Sequence, residues 1–190
     1  MNPLYQDSYV QFMESIFIGG FILITIIIFV LYRKKSDYLL ASLPLFALFS
    51  HQVEEYVLSP LILGESYHFL NWAYRIGMDI SPMEVVTINS PGWLIVSILF
   101  LVKNKPKFFP KAFLLINSLF FANSTFHIGV ATSQGDFSPG MITSLFIYLP
   151  LFIYAILLSK ENQNSFGTIF SLILLGLAMH FILLMRITVF

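Results

Sequence analysis

The chain has 190 residues, of which 57% are hydrophobic and only 11% are charged, with ten basic and ten acidic side chains. Because soluble domains carry roughly 25% charged residues, this composition excludes an ordinary soluble domain and predicts a polytopic helical membrane protein. Cysteine is absent, which excludes disulfides, thiolate metal ligands and cysteine catalysis. Nothing in the sequence indicates a nucleic-acid partner.

The apolar runs predict an all-α transmembrane helix bundle of about six spans, since one crossing needs about 20 residues. Five spans are the alternative, in which the first or the last run does not cross. All of them are assigned to one membrane-embedded domain, residues 1–190. The predicted spans are residues 12–32, 38–58, 82–102, 112–132, 141–158 and 166–185.

The segment between the second and third spans, residues 59–80, is too polar to cross a bilayer and too aromatic for a plain solvated loop. Trp and Tyr favour the headgroup level, so this segment is predicted to be an interfacial helix or lid. Its candidate lid residues are Tyr67, Trp72 and Tyr74. Trp72 and Arg75 are also predicted to anchor in the headgroups, and His68 to lie on the surface.

The basic residues predict the orientation of the bundle. Eight of the ten Lys and Arg fall in residues 33–35, 103–111 and 160, which alternation of the six spans places on one side. The positive-inside rule makes that side cytoplasmic, so both termini are predicted to be extracytoplasmic.

The motif His51-Gln52-Val53-Glu54-Glu55 lies inside the second predicted span. A charged side chain at a span centre is disfavoured by roughly 2.5–3.5 kcal/mol on insertion scales, and such residues usually mark function. His51 and Glu55 are four residues apart, as are Asn123 and His127 in the fourth span. Each pair therefore shares one helix face.

Polar residues of four predicted spans fall at a similar depth. At about 1.5 Å per residue, they lie about 6–14 Å from the same membrane face. They are His51, Glu54, Glu55, Asn89, Asn123, His127 and His180. Because the inner half of each span is nearly pure hydrocarbon, the sequence predicts one shared polar site in the outer leaflet.

The motif at 51–55 resembles the signature of the HXXEE-domain membrane proteins, a mostly bacterial group of uncharacterised function. The sequence Asn123-Ser124-Thr125-Phe126-His127 and the turn Ser138-Pro139-Gly140 resemble later elements of that family. The resemblance covers residues 39–158. It implies a multi-span integral membrane protein, expected in a bacterial plasma membrane, and specifies no substrate.

The residue types favour a metal centre, with His51, Glu55 and His127 as ligands in the manner of two-His, one-Glu zinc sites. Glu54 is predicted to be a general base or fourth ligand, and Asn123 an orienter or oxyanion donor. The further candidates are Asn89 and His180. The expected cofactor is a divalent metal, with zinc favoured. The expected partners are membrane lipids, and hydrolysis of a lipid-like or isoprenoid substrate is the predicted reaction.

Two alternatives stay open. One is metal-free acid–base chemistry by the glutamates and histidines, such as isomerisation of a lipid double bond. The His-x-x-x-Glu spacing is distantly similar to that of emopamil-binding sterol isomerases. The other is a non-catalytic polar network or a small-solute or proton carrier.

Overall fold

The computed structural model describes residues 8–189, with side chains described as far as residue 185. All regular structure in this range is helical, which confirms the predicted all-α class. The elements are α1 (Ser8–Arg33), α2 (Tyr38–Val53), α3 (Ser59–Leu63), α4 (Phe69–Arg75), α5 (Pro82–Val102), α6 (Phe109–Gln134), α7 (Met141–Thr143), α8 (Leu149–Glu161) and α9 (Phe166–Val189). One π turn, Glu54–Leu58, joins α2 to α3, and another, Ser144–Tyr148, joins α7 to α8.

Five helical stretches are long and apolar enough to cross a membrane. They are α1, α5, α6, the α7–α8 stretch Met141–Glu161, and α9 from Phe166 to Met185. The first and last predicted spans are both among them. The stretch outside this set is instead α2 with the motif, because His51, Gln52, Glu54 and Glu55 interrupt its apolar run.

Helix α5 begins with a capping box formed by Ser81 and Glu84. The Ser81 hydroxyl accepts from the Glu84 backbone N–H at 3.3 Å, and the Glu84 carboxylate accepts from the Ser81 N–H at 2.7 Å. Pro82 occupies the first turn, where its missing N–H costs nothing. The two reciprocal bonds fix the point at which the chain leaves the aromatic segment and enters the bundle.

Helix α6 is the centre of the bundle. Half of its apolar window is buried, against 11% for the corresponding windows of α1 and α9. It packs against α9 and α8 over long stretches and also contacts α5 and α2. Large aliphatic and aromatic side chains face outward on α1, α5, α8 and α9, as expected for helices surrounded by lipid.

The aromatic segment folds back onto the bundle, and two predictions about it are wrong. Trp72 and His68 are each 1% exposed, so neither is a headgroup anchor or a surface residue. Trp72 packs on the Phe126 ring, and His68 Nε2 lies 3.0 Å from the Glu14 carboxylate of α1. Short helix α4 buries one of its faces against the bundle. Burying the large apolar surface of the Trp72 indole ring there is more favourable than leaving the ring at the membrane interface.

Candidate metal centre

The motif is located where α2 becomes a π turn. His51 is in the last turn of α2, and Glu54 and Glu55 are the first residues of the π turn Glu54–Leu58. A π turn inserts one residue into a helix and re-aims the side chains that follow, and such turns are frequent at functional sites. The second π turn, Ser144–Tyr148, lies opposite, and its Tyr148 ring is 4.8 Å from the His51 ring.

His51, Glu55 and His127 converge as the sequence predicts. Glu55 Oε1 lies 3.3 Å from His51 Nε2 and 3.3 Å from His127 Nε2. The two imidazole rings are 4.9 Å apart, and one potential ligand atom from each of the three residues lies within 4.8 Å of the others. All three side chains are buried. The cluster could therefore bind a metal ion.

Hydrogen bonds on the far side of His51 indicate which of its nitrogens is protonated. Its Nδ1 is 2.7 Å from the Thr143 hydroxyl, which also lies 3.1 Å from the Gly140 carbonyl. When the hydroxyl donates to that carbonyl, Nδ1 is the donor to the hydroxyl, and a neutral imidazole then carries a lone pair on Nε2. Among the described residues, Nε2 has no hydrogen-bond partner.

With this tautomer, the site needs a positive charge between His51 Nε2 and the Glu55 carboxylate. The Nε2 lone pair faces the Glu55 carboxylate oxygen, and two acceptors at 3.3 Å repel each other unless a cation lies between them. That cation can be a proton or a metal ion. His127 has the same outer arrangement, since its Nδ1 is 2.9 Å from the Ser138 hydroxyl. Hydroxyl partners of this kind fix ring orientation at metal sites.

Glu54 has a different position from its neighbour. Its two oxygens accept the backbone N–H groups of Ile142, at 2.9 Å, and Thr143, at 2.6 Å. These N–H groups begin the helical stretch that follows Gly140, where a carboxylate is favoured. Glu54 is not among the residues that line the cavity described below. Its contacts are those of a cap that attaches this stretch to the motif, and they do not favour the predicted role of base or ligand.

The turn before α7 closes over the cluster at Gly140. This glycine has a φ of 88°, and a β-carbon there would clash with the His51 ring and lie 3.1 Å from Glu55 Cγ. Ser138 and Thr143 flank it and hold the two histidines. The Ser138-Pro139-Gly140 turn is therefore part of the site and not only a connection between helices.

A cavity of about 440 Å³ extends from the cluster into the bundle. His51, Glu55 and His127 line one part of it, and nearly all the remaining wall is apolar. Asn123 and His180, both predicted site members, also line it. Among the described residues, Asn123 Oδ1 and His180 Nε2 are buried without a hydrogen-bond partner. Such atoms usually have partners, so a bound group is expected near them.

Asn89 lines the same cavity but is already bonded. Its Oδ1 accepts from Gln52 Nε2 at 2.6 Å, and its Nδ2 donates to the Val85 carbonyl at 2.9 Å. Gln52 Oε1 in turn accepts from the Trp93 indole at 3.1 Å. Asn89 therefore ties α5 to the motif helix, and its free hydrogen-bonding capacity is small.

The three predicted lid residues have different environments. Trp72 lies nearly parallel to the His127 ring, with centroids 6.2 Å apart, and forms a buried wall behind it. Tyr74 is 57% exposed and does not line the cavity. Tyr67 donates to the Asp136 carboxylate at 2.8 Å. Phe69, which was not predicted, lines the cavity beside the cluster.

Asp136 connects the aromatic segment to the turn that carries Gly140. Besides the Tyr67 bond, its carboxylate accepts from Arg75 at 2.8 Å, and the Arg75 guanidinium lies over the Tyr67 ring. The Tyr67 hydrogen bond, with help from the Phe137 N–H and Arg75, lowers the pKa of Asp136 below its usual value. The contact with Asp136 raises the pKa of Tyr67. Both directions keep this cluster intact at neutral pH. Arg75 therefore has a protein partner, and its side chain remains partly exposed, so its headgroup contact stays a prediction.

Sequence reasoning missed Thr143, Ser138, Tyr148 and Gln52 as parts of the site. Ser138 had one usable signal, because it belongs to the turn that resembles the family element. Thr143 and Tyr148 follow that turn in an ordinary apolar run, where hydroxyl residues are common in membrane helices. Nothing in their spacing indicates that they face the motif.

The bundle and its buried His/Glu cluster define an integral membrane protein of the α-helical, polytopic class with a potential metal site at its centre. The family model described as "Protein of unknown function with HXXEE motif" matches residues 41–155, so the chain belongs to that family. The predicted resemblance is thus confirmed, and the matched residues include His51, Glu55, His127 and the Gly140 turn. No curated protein and no solved structure matches the chain.

Proposed function

We propose that this protein is an intramembrane metal-dependent hydrolase that acts on a lipid-like substrate through His51, Glu55 and His127. The convergence of these three side chains supports the proposal most strongly. Their two Nε2–Oε1 separations of 3.3 Å are those of adjacent ligands around a tetrahedral ion with bonds of about 2.0–2.2 Å. Two imidazoles and one carboxylate are the donor set of a catalytic zinc site with one open position.

The reaction needs water and an apolar substrate at one point. A zinc ion held there would lower the pKa of a bound water to about 7. Hydrolysis places the hydroxyl of water on the carbonyl carbon of an ester or amide, while the leaving oxygen or nitrogen departs with a proton. The cavity brings an apolar chain to the cluster, and Asn123 and His180 supply the hydrogen bonds that hold its polar group. Glu54 positions α7 and takes no part in proton transfer.

One alternative has its own support. A proton in place of the metal also resolves the contact between Glu55 Oε1 and the two Nε2 atoms, which gives a carboxylate–imidazole pair suited to acid–base isomerisation of a lipid. The carrier alternative has less support, because α2 and α6 continue from the cluster into a largely apolar core that includes Ala41, Ala47, Leu99 and Phe113. Removal of metal separates the metal-dependent reading from the acid–base reading.

The test is metal analysis of the detergent-purified protein after equilibration with zinc and dialysis. We expect near-stoichiometric zinc in the wild type and none in His51→Ala. The matched control is His68→Ala, which removes another buried histidine with a carboxylate neighbour and should retain the metal. Hydrolysis of a chromogenic long-chain ester should disappear with a chelator and return with zinc. Metal-free wild type after repletion would refute the proposal and favour the acid–base alternative.

We further propose that the protein lies in a bacterial plasma membrane with both termini outside, from the basic residues and the family. The chain has no cysteine, so single cysteines can report topology without a background. Cysteines at Lys34 and Lys105 should be protected from an impermeant thiol reagent in intact cells, and one at Asp136 should react. Reaction of the cysteines at positions 34 and 105 would show that the orientation is the reverse of the proposed one.

A further inference from the structure

Among the described residues, the exposed part of the cavity lining lies on two helices. Most residues that line the cavity are buried or partly buried, and just three are exposed: Pro91, Ile95 and Ile182. The first two lie on α5 and the third on α9. Both helices are membrane-spanning by length and composition, so this opening faces hydrocarbon and not water.

The packing of the bundle explains why an opening forms there. Helix α9 packs mainly on α6, and α5 packs mainly on α2, so the two helices flank the cavity and make few contacts with each other. Gly92 on α5 adds no side chain to the gap, and Pro91 removes one helical hydrogen bond beside it. The result is a lateral slot between α5 and α9.

The lining of the cavity restricts what can occupy it. None of the lining residues is a lysine or arginine, so the cavity offers no cationic side chain of these types to a phosphate or another anionic head group. Apart from His51 Nε2 in the cluster, the buried polar atoms without partners in the described part of this lining are on Asn123 and His180, which suit an uncharged group that donates and accepts hydrogen bonds.

The volume of the cavity favours a lipid with one hydrocarbon chain over a lipid with two. At about 30 Å³ for each water-sized group, a volume of 440 Å³ holds on the order of 15 such groups. That matches one alkyl or prenyl chain with a small head. A two-chain phospholipid is too large, and its phosphate would lack a lysine or arginine partner.

We infer that the cavity binds a single-chain, uncharged lipid, with an ester or amide head as substrate and a hydroxyl head as product, which enters from the membrane through a slot between α5 and α9. Its head lies beside Asn123 and His180 and its chain lies along the apolar wall. That this lipid is a substrate rests on the proposed hydrolase function, whereas its binding in the cavity does not require the metal.

The test uses the full-length protein in phosphatidylcholine vesicles with a photoactivatable, diazirine-bearing long-chain alcohol as the probe. We expect saturable labelling that maps to cavity-lining residues and is displaced by the unlabelled alcohol. The double variant Ile95→Trp/Ile182→Trp fills the slot and should lose this labelling. The matched control is Leu94→Trp/Phe181→Trp, which changes the adjacent residues on the same helices; both are more than half exposed and outside the cavity lining, so labelling should persist.

The outcomes separate this inference from the proposed function. His51→Ala should lose metal but keep saturable labelling, so a metal-free wild type that is still labelled would leave the lipid site standing and refute only the hydrolase. Non-saturable labelling spread over all outward helix faces would overturn the lipid site. If thermal unfolding shows that the slot variant and its control are both folded, equal labelling of the two would overturn the lateral access route.

Discussion

We expect Glu55→Gln to abolish metal binding while the protein stays folded. The carboxylate Oε1 is the atom that both imidazoles face, at 3.3 Å each, so its loss removes the central ligand. Loss of a partner outside the first coordination sphere typically weakens metal affinity by about 10–100-fold, and a lost ligand should exceed that range. The glutamine amide can donate to the Nε2 lone pair of His51, which keeps the buried site satisfied without a metal.

The neighbouring carboxylate gives the matched comparison. Glu54→Gln replaces an anion that accepts two backbone N–H bonds by an amide with one accepting oxygen. Hydrogen bonds to a charged group are worth about 1.5–3 kcal/mol, so this variant should unfold at a lower temperature yet still bind metal below that temperature. The measurements are elemental analysis and thermal unfolding monitored by the fluorescence of the two tryptophans. Metal loss in Glu54→Gln with retention in Glu55→Gln would exchange the roles assigned to the two residues.

We expect Gly140→Ala to disrupt both stability and the site. Its φ of 88° is costly for any residue with a β-carbon, by roughly 1–2 kcal/mol. The added methyl would also clash with the His51 ring, and overpacking of a tight site typically costs about 1–3 kcal/mol. Either the turn or the imidazole must move, so metal affinity should fall together with the unfolding temperature.

Gly77→Ala is the control for the backbone contribution. Gly77 has a φ of 87°, almost the same as Gly140, but a β-carbon there would meet no atom within 4 Å. This variant should show only the smaller, conformational loss of stability and bind metal normally. Equal unfolding temperatures and metal contents for the two variants would show that the Gly140 turn does not press on His51.

The predicted helices agree with the structure where long apolar runs leave few alternatives to a helix. The predicted contacts agree with it where helical spacing places two residues on one face. The pairs His51/Glu55 and Asn123/His127 are each one turn apart, and comparable depth brought the two helices' polar groups to one level. The predicted surface position of His68 and headgroup role of Trp72 are wrong for a different reason. Both depend on how the aromatic segment folds back over α1 and α6, and that depends on packing between residues far apart in the chain.

The sequence by itself determined the membrane class, the helical architecture, the family and the three residues that converge. These follow from hydropathy, from the 3.6-residue period and from a motif, all of which are local properties. Only the tertiary structure decided the contacts of Glu54, because the two N–H groups that its carboxylate accepts lie about ninety residues away in the chain. The same is true of the contact between His51 and Thr143 and of the cavity that α5 and α9 line together. Each arises from side chains that meet across the bundle, where no sequence period relates one partner to the other.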